Sequence, residues 1–308
     1  MTLQQMEYIV AVDKFRHYMK AANACHVTQS TLSMMIKKLE DELDTIIFDR
    51  DAHPIKPTHA GEMIIAQARV VLYNTEQLRE LTVSERLKSS GEVKLAIIPT
   101  VAADIVPGLM KNIQEDSPNI HLRTYEMQTC HILEKLYDAE LDMAIMATPL
   151  ENTNLLEIPI YYERLAAYVS PSDELYTQKE IVSGDIPAGR MWVLSEGNCL
   201  RDQVFNICEG ASEYTARYES GSIDTLIRIV DSNGGFTIIP ELHIPYLDAA
   251  RAANVRDLVA PEVVREISLV IRKDYVRERI LNEVINAVKK TVPDSMIDSA
   301  LKKFAIRI

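Results

Sequence analysis

No apolar stretch in this 308-residue chain approaches the ~20 residues that a membrane-spanning helix needs. The opening segment Met1 to Tyr8 also lacks the basic patch and continuous apolar run of a secretory leader. A cytoplasmic protein without membrane contacts is therefore expected. Cysteine is scarce: the four residues Cys25, Cys130, Cys199 and Cys208 are too few for a disulfide scaffold. In a reducing compartment any disulfide among them would be transient rather than structural. Internal repeats and low-complexity tracts are missing as well. Positive charge is short, with a net charge of −12. Taken alone this argues against nucleic acid, because neutralising phosphate needs local Lys and Arg. The deficit is uneven, however. Residues 1–60 carry seven Lys/Arg against eight Asp/Glu, a net −1, so −11 falls on the remaining 248 residues. His17, His26, His53 and His59 lie in that same segment and add positive charge at mildly acid pH.

A composition of 47% hydrophobic and 25% charged residues is that of an ordinary globular chain, long enough for two or three units. Leu3, Met6, Ile9, Val10 and Phe15 fall near helical spacing and predict a first amphipathic helix. A second short helix over Tyr18 to Cys25 holds the small pair Ala21-Ala22, which lets a neighbouring helix approach closely. After a break at His26-Val27, Thr28 is placed to cap a third helix whose Leu32, Met35, Ile36, Leu39 and Leu43 make one apolar stripe. Its other face offers Gln29, Ser30, Thr31, Ser33, Lys37 and Lys38. This is the helix-turn-helix pattern, in which the last helix enters the major groove. Periodicity alone fits a small helical bundle with a solvated polar face equally well.

Ile46-Ile47-Phe48 and Ile55-Lys56-Pro57 predict a two-stranded wing around Asp51 to Pro54. Thr58 would then cap a long helix from about Ala60 to Lys88, ~40 Å in length and too long for one small domain. It predicts packing against a second copy of the chain. Past Ser89-Ser90-Gly91 the pattern changes. Strand runs at Val93 to Ile98, Ile120 to Tyr125 and Leu141 to Met146 alternate with helices at Asp104 to Gln114 and Thr129 to Tyr137. A second set follows at Leu165 to Val169, Met191 to Leu194, a helix in the 200s, and Thr237 to Ile239. Strand character then resumes at Ile267 to Ile271. The alternation predicts a mostly parallel sheet covered on both faces, arranged as two α/β lobes with crossings near 162–165 and 265–268. Small ligands of such folds sit between lobes at strand carboxyl ends.

The order and spacing of Ala21-Ala22, Thr28-Gln29-Ser30-Thr31-Leu32-Ser33, Ile36-Lys37-Lys38-Leu39-Glu40, Phe48-Asp49-Arg50 and Pro57-Thr58-His59-Ala60-Gly61 resemble the LysR-type regulators. The resemblance covers the whole chain. It implies an α/β protein with an N-terminal winged helix-turn-helix (1–59), a dimerising linker helix (60–90) and a two-lobed effector domain similar to periplasmic binding proteins (91–308). Lobe I would comprise about 91–162 and 268–308, and lobe II about 163–267. It further implies promoter DNA as partner: Gln29, Ser30, Thr31, Ser33 and Lys37 would face bases and phosphates, while Arg50 and Lys56 would touch the backbone. Ser30 stands where many members carry Pro, exchanging a pre-set helix start for a hydroxyl.

Within that family, Gly197-Asn198-Cys199-Leu200-Arg201-Asp202-Gln203 with Cys208 beyond, Ile98-Pro99-Thr100-Val101, Glu126-Met127-Gln128-Thr129 and Leu269-Val270-Ile271-Arg272 are similar to the peroxide-sensing branch. That likeness implies a non-enzymatic regulator in which hydrogen peroxide drives an intramolecular Cys199–Cys208 disulfide and controls oxidative-stress genes. Its implied partners are RNA polymerase, a homotetramer built from dimers, and a glutaredoxin- or thioredoxin-type reductant. Asn198 stands where His is frequent in that branch, so an amide dipole replaces a titratable ring.

Peroxide reacts with a thiolate, so the site must favour the anion. Cys199 precedes the helical run Leu200 to Ile207 and would sit at a helix N-terminus, with Arg201 or Arg272 as a nearby cation. Thr100 and Thr129 could hydrogen-bond the peroxide and Asp202 relay a proton; alternatively the threonines are helix caps and Asp202 a first-turn acid. If residues 200–208 form one helix, the two cysteine Cα atoms stand ~13.5 Å apart. A disulfide requires them within ~7 Å, so forming it would unwind that helix. Cys25 is expected in the core. Cys130 beside His131 is a weak metal signal, and neither metal nor other cofactor is expected. Two other readings remain open: a LysR-type regulator responding to a small organic effector between its lobes, and a thiol peroxidase.

Overall fold

Thr2 starts the first helix, α1 (Leu3–Phe15), with a capping box: its hydroxyl accepts the Gln5 amide while the Gln5 side chain takes the Thr2 amide. The short α2 (Tyr18–Ala24) follows and buries Ala21 and Ala22 completely, so that α3 (Gln29–Leu43) packs close behind it. Leu32, Ile36 and Leu39 of α3 meet Ile9 and Val12 of α1 in one apolar core. The wing is a pair of two-residue strands, β1 (Phe48–Asp49) and β2 (Lys56–Pro57), antiparallel with Phe48 opposite Pro57. Thr58 then caps α4 (His59–Ser84), accepting the Gly61 amide at 2.9 Å and donating to the Ile46 carbonyl at 2.7 Å. A Cβ on Gly61 would stand 2.0 Å from the Ile47 carbonyl oxygen, so only glycine lets α4 lie this close to the strand leading into the wing.

The computed structural model describes residues 1–84, 91–150, 154–205 and 219–297. The chain divides into two compact units, residues 1–87 with 137–140 and residues 88–136 with 141–308. No helix among the described residues is long and apolar enough to cross a membrane.

The second unit begins β3 (Gly91–Ile97), α5 (Pro99–Asp116), β4 (Ile120–Glu126), α6 (Thr129–Tyr137) and β5 (Met143–Thr148). The helix expected from Asp104 starts five residues earlier: Pro99 occupies the first helical position, where its missing N–H costs nothing. Then comes the long β6 (Leu155–Val169), followed by β7 (Glu180–Val182), β8 (Val193–Leu194), α7 (Cys199–Phe205), β9 (Glu219–Ser220), α8 (Ile223–Asn233) and β10 (Phe236–Pro240). A short 3-10 helix, Glu241–Tyr246, leads to α9 (Ala249–Ala252), β11 (Val255–Val259), β12 (Val264–Arg272), α10 (Glu278–Lys289) and α11 (Asp294–Ile297).

The strand order is β4-β3-β5-β12-β6-β11-β7, with β10 also on β6. Among the described strands only β3 has parallel neighbours on both sides. Strand β12 is antiparallel to β5 and β6, and β10 and β11 are antiparallel to β6. The expectation of a mostly parallel sheet is therefore corrected to a mixed one. The physical cause is that β6 carries the chain into lobe II and β12 carries it back alongside, so the two crossings pair in opposite directions. The core of lobe II lies wholly between Leu165 and Val263.

Candidate functional site

In the first unit α3 carries the residues expected to read DNA. Its cap Thr28 accepts the Thr31 amide at 3.2 Å, and the Thr28 hydroxyl lies 3.0 Å from that of Ser30 and 2.8 Å from that of Thr31. The N-terminal turn is thus a linked set of hydroxyls at a helix N-terminus, an arrangement that suits phosphate. Gln29, Ser30 and Lys37 are exposed, Thr31 and Ser33 partly so, and Lys56 projects from the wing. Arg50 is held at its guanidinium: a terminal nitrogen donates to Glu40 at 2.7 Å, and buried Glu40 also accepts the amides of Ile47 and Phe48. That carboxylate fixes the wing against α3, a role not apparent in the sequence. Cys25 is partly buried against the same core.

In the second unit the turn before Cys199 is set by Gly197, whose φ of +86° is left-handed backbone. A Cβ there would meet the Gln128 side chain at 2.8 Å, and Gln128 donates to the Glu196 carbonyl at 2.9 Å. A residue of lobe I therefore holds the turn of lobe II that carries the cysteine. Asn198 is buried and its side-chain amide donates to the Ser195 carbonyl at 2.8 Å, while its main-chain carbonyl accepts the Arg201 amide at 2.9 Å. Cys199 is the first residue of α7 and is 4% exposed, with the Thr129 hydroxyl 3.3 Å from its Sγ. Thr129 is the first residue of α6.

Thr100 is not a cap. The N-cap of α5 is Ile98, which makes no side-chain capping bond, and the buried Thr100 accepts from Arg265 through its hydroxyl at 3.0 Å and its carbonyl at 3.1 Å. Arg265 is the cation of the site. It is fully buried, sits opposite Glu163 in the β12–β6 register, and holds that carboxylate at 2.7 Å. Burial opposes its charge, but Glu163, Tyr161 and Cys199 act electrostatically on it and keep it above its ordinary value. Burial pushes the Glu163 carboxyl up against the pull of Arg265, and pushes the Tyr161 phenol well up.

The structure does not bring Arg272 to this place. Arg272 lies seven residues further along β12, roughly 23 Å at strand rise, and there donates twice to Asp274, at 2.9 and 2.6 Å. Arg201 is half-buried and lines a small hollow of lobe II with Trp192 and Thr237. Asp202 is on α7, but its side chain lies outside what the structure describes, and Cys208 lies outside the described residues. Cys130 is exposed, and among the described residues no group of three or more His, Cys, Asp or Glu is arranged to hold a metal.

Arg265, Glu163 and Gln128 escaped the sequence reading as a site. A signal was present: the charged pairs Glu163-Arg164 and Arg265-Glu266 interrupt apolar strand runs at the two expected lobe crossings. Buried strand positions tolerate such charges only when they are paired.

A helix-turn-helix with a wing, followed by a two-lobed α/β unit with a polar seam, defines a ligand- or signal-responsive DNA-binding regulator. Residues 3–62 match the bacterial regulatory helix-turn-helix proteins of the lysR family, and residues 87–293 match the LysR substrate binding domain. The chain belongs to the LysR family of bacterial transcription regulators. It is 31% identical to the hydrogen peroxide-inducible genes activator of Haemophilus influenzae over 95% of this chain and 97% of that protein. The dual regulator OxyR of Escherichia coli is 28% identical, with 98% and 99% covered. A full-length OxyR variant from Pseudomonas aeruginosa superposes with a TM-score of 0.81 at 30% identity, covering 94% of this chain and 95% of that one.

Proposed function

We propose that this regulator responds to hydrogen peroxide through Cys199. The observation that carries the reading is a buried cysteine at the first turn of a helix, with the Thr129 hydroxyl at 3.3 Å and the Arg265 guanidinium within electrostatic reach. The helix start and the cation both offer positive potential to the reacting sulfur, and the hydroxyl can orient a peroxide oxygen in line with Sγ. The thiolate attacks one oxygen, the O–O bond breaks, and the departing hydroxide takes a proton to leave water and a sulfenic acid. The Cys208 thiol then attacks that sulfur, a second water leaves, and the Cys199–Cys208 disulfide forms with unwinding of the segment between them. Asp202 would supply the proton and Asn198 the amide that fixes the turn.

In this reading Gln29, Ser30, Thr31, Ser33 and Lys37 face promoter DNA, with Arg50 and Lys56 on its backbone. The chain pairs through α4 and assembles as a dimer of dimers in the cytoplasm. Its oxidised form alters contacts with RNA polymerase at oxidative-stress promoters, and a glutaredoxin- or thioredoxin-type protein resets it. Titrating the reduced chain with micromolar hydrogen peroxide and counting thiols by mass tests this. One intramolecular 199–208 bond per chain is expected. Its absence would leave an organic effector between the lobes as the trigger, and continuous peroxide turnover with a reductant would mark a thiol peroxidase instead.

A further inference from the structure

Asp104 lies one turn after Thr100 on α5 and is 4% exposed, so it faces the same seam between the lobes. Across that seam His243, 5% exposed in the 3-10 turn after β10, donates from Nδ1 to the Asp104 Oδ1 at 3.0 Å. Its Nε2 is buried with no hydrogen-bond partner, and Asp224 Oδ1 of α8 lies 3.6 Å away. Glu163 of β6 acts on the ring electrostatically, and from its own turn comes Tyr246, ring centroid at 6.5 Å, whose hydroxyl donates to the Asp104 carbonyl at 3.4 Å. The charged side chains that act most strongly on the imidazole are thus acids. Burial works against its charge, yet Asp104, Asp224 and Glu163 together hold its pKa above the ordinary value of 6.5.

The charge count in this seam explains what such an imidazolium does. Asp104 and Glu163 are two buried anions, and Arg265 is one buried cation committed to Glu163 by contacts of 2.7 Å. With a neutral His243 the set carries −1 before Cys199 ionises; with a charged one it carries zero. A thiolate is easier to create beside a neutral set than beside an anionic one. We propose that His243, held by Asp104 across the two lobes, is a positioning residue for the reaction at Cys199: when protonated it offsets the charge that Asp104 adds to the seam, so that the thiolate forms beside a neutral set rather than an anionic one. The inference rests on the reading of Cys199 as the reactive thiol and extends it to a second residue of lobe II.

The test uses the reduced full chain, alkylated with iodoacetamide across a pH series, with modification of Cys199 read by peptide mass. His243→Asn keeps a donor near Nδ1 and His243→Gln one near Nε2. Each should move the midpoint of Cys199 alkylation upward by about half to one pH unit. Asp104→Asn combined with His243→Asn restores the charge count and should return the midpoint to the wild-type position, which a merely structural role would not do. A midpoint unmoved in folded single variants, or equally displaced in the double variant, overturns the proposal. Should both His variants fail to fold, the reciprocal measurement decides it. The His243 titration followed by NMR should lie higher in Cys199→Asp than in Cys199→Ser, and equal midpoints overturn the idea. Peroxide-driven disulfide formation is followed in parallel on the wild type. Its failure sinks the sensor reading, while the alkylation midpoints still decide the role of His243.

Discussion

Arg265 has lost all contact with water, and everything that makes its burial tolerable is within hydrogen-bond reach: a carboxylate on the facing strand and two oxygens of Thr100. Replacing it by Met leaves Glu163 buried and unpaired, and should destabilise the second unit by about 3–5 kcal/mol. Adding Glu163→Gln should recover most of that loss, as read by urea denaturation. His243 gives a pH dependence of definite sign. Its folded pKa is raised, so its stabilising contribution is complete below about pH 6.5 and is lost as pH rises through the higher folded value. Melting temperatures of the reduced protein should fall over that interval, and His243→Asn should flatten the fall. Arg265 leaves a trace in sequence as a charge in an apolar strand run and His243 leaves none, but what makes each of them matter is a distant partner: Glu163, 102 positions from Arg265, and Asp104, 139 from His243.

Elements whose cause is local were legible. The helix-turn-helix, the wing and the Thr58 cap follow from spacing and capping chemistry inside windows of a few residues. Gly61 shows how tight that local design is. With the Ile47 carbonyl 2.0 Å from where a Cβ would sit, Gly61→Ala should cost the first unit about 1–3 kcal/mol, seen as an earlier thermal transition with α4 still helical. Elements whose cause is tertiary were legible only in part. Pro99 falls outside the helix expected from Asp104 until its place at the first position of α5 is known, and Thr100 stays open between a peroxide ligand and a cap until Arg265 is found bonded to it. The antiparallel crossing of β6 and β12 was unreadable as such, since it depends on which strands the two lobes share rather than on any pattern within one of them.

At the scale of the whole molecule the acidic total and the expected DNA surface are reconciled by distribution, because most of the net −12 lies beyond residue 60. Binding to a promoter fragment should therefore be strongly salt-dependent through a few cations. Lys37→Ala should lower the slope of log K against log salt by about one, measurable by fluorescence anisotropy, whereas an unchanged slope would remove Lys37 from the contact surface. The register between β6 and β12 has a different consequence. Arg164 and Val264 are cross-strand partners, and every residue of the lobe II core falls between Leu165 and Val263. Lobe II is thus a cassette spliced into lobe I at one point, with its two ends about 5 Å apart. Excising 165–263 and closing Arg164 to Val264 with a two-residue turn should leave a lobe I that still folds cooperatively. A signal-reading module joined in this way can be exchanged between regulators without disturbing the half that stays behind.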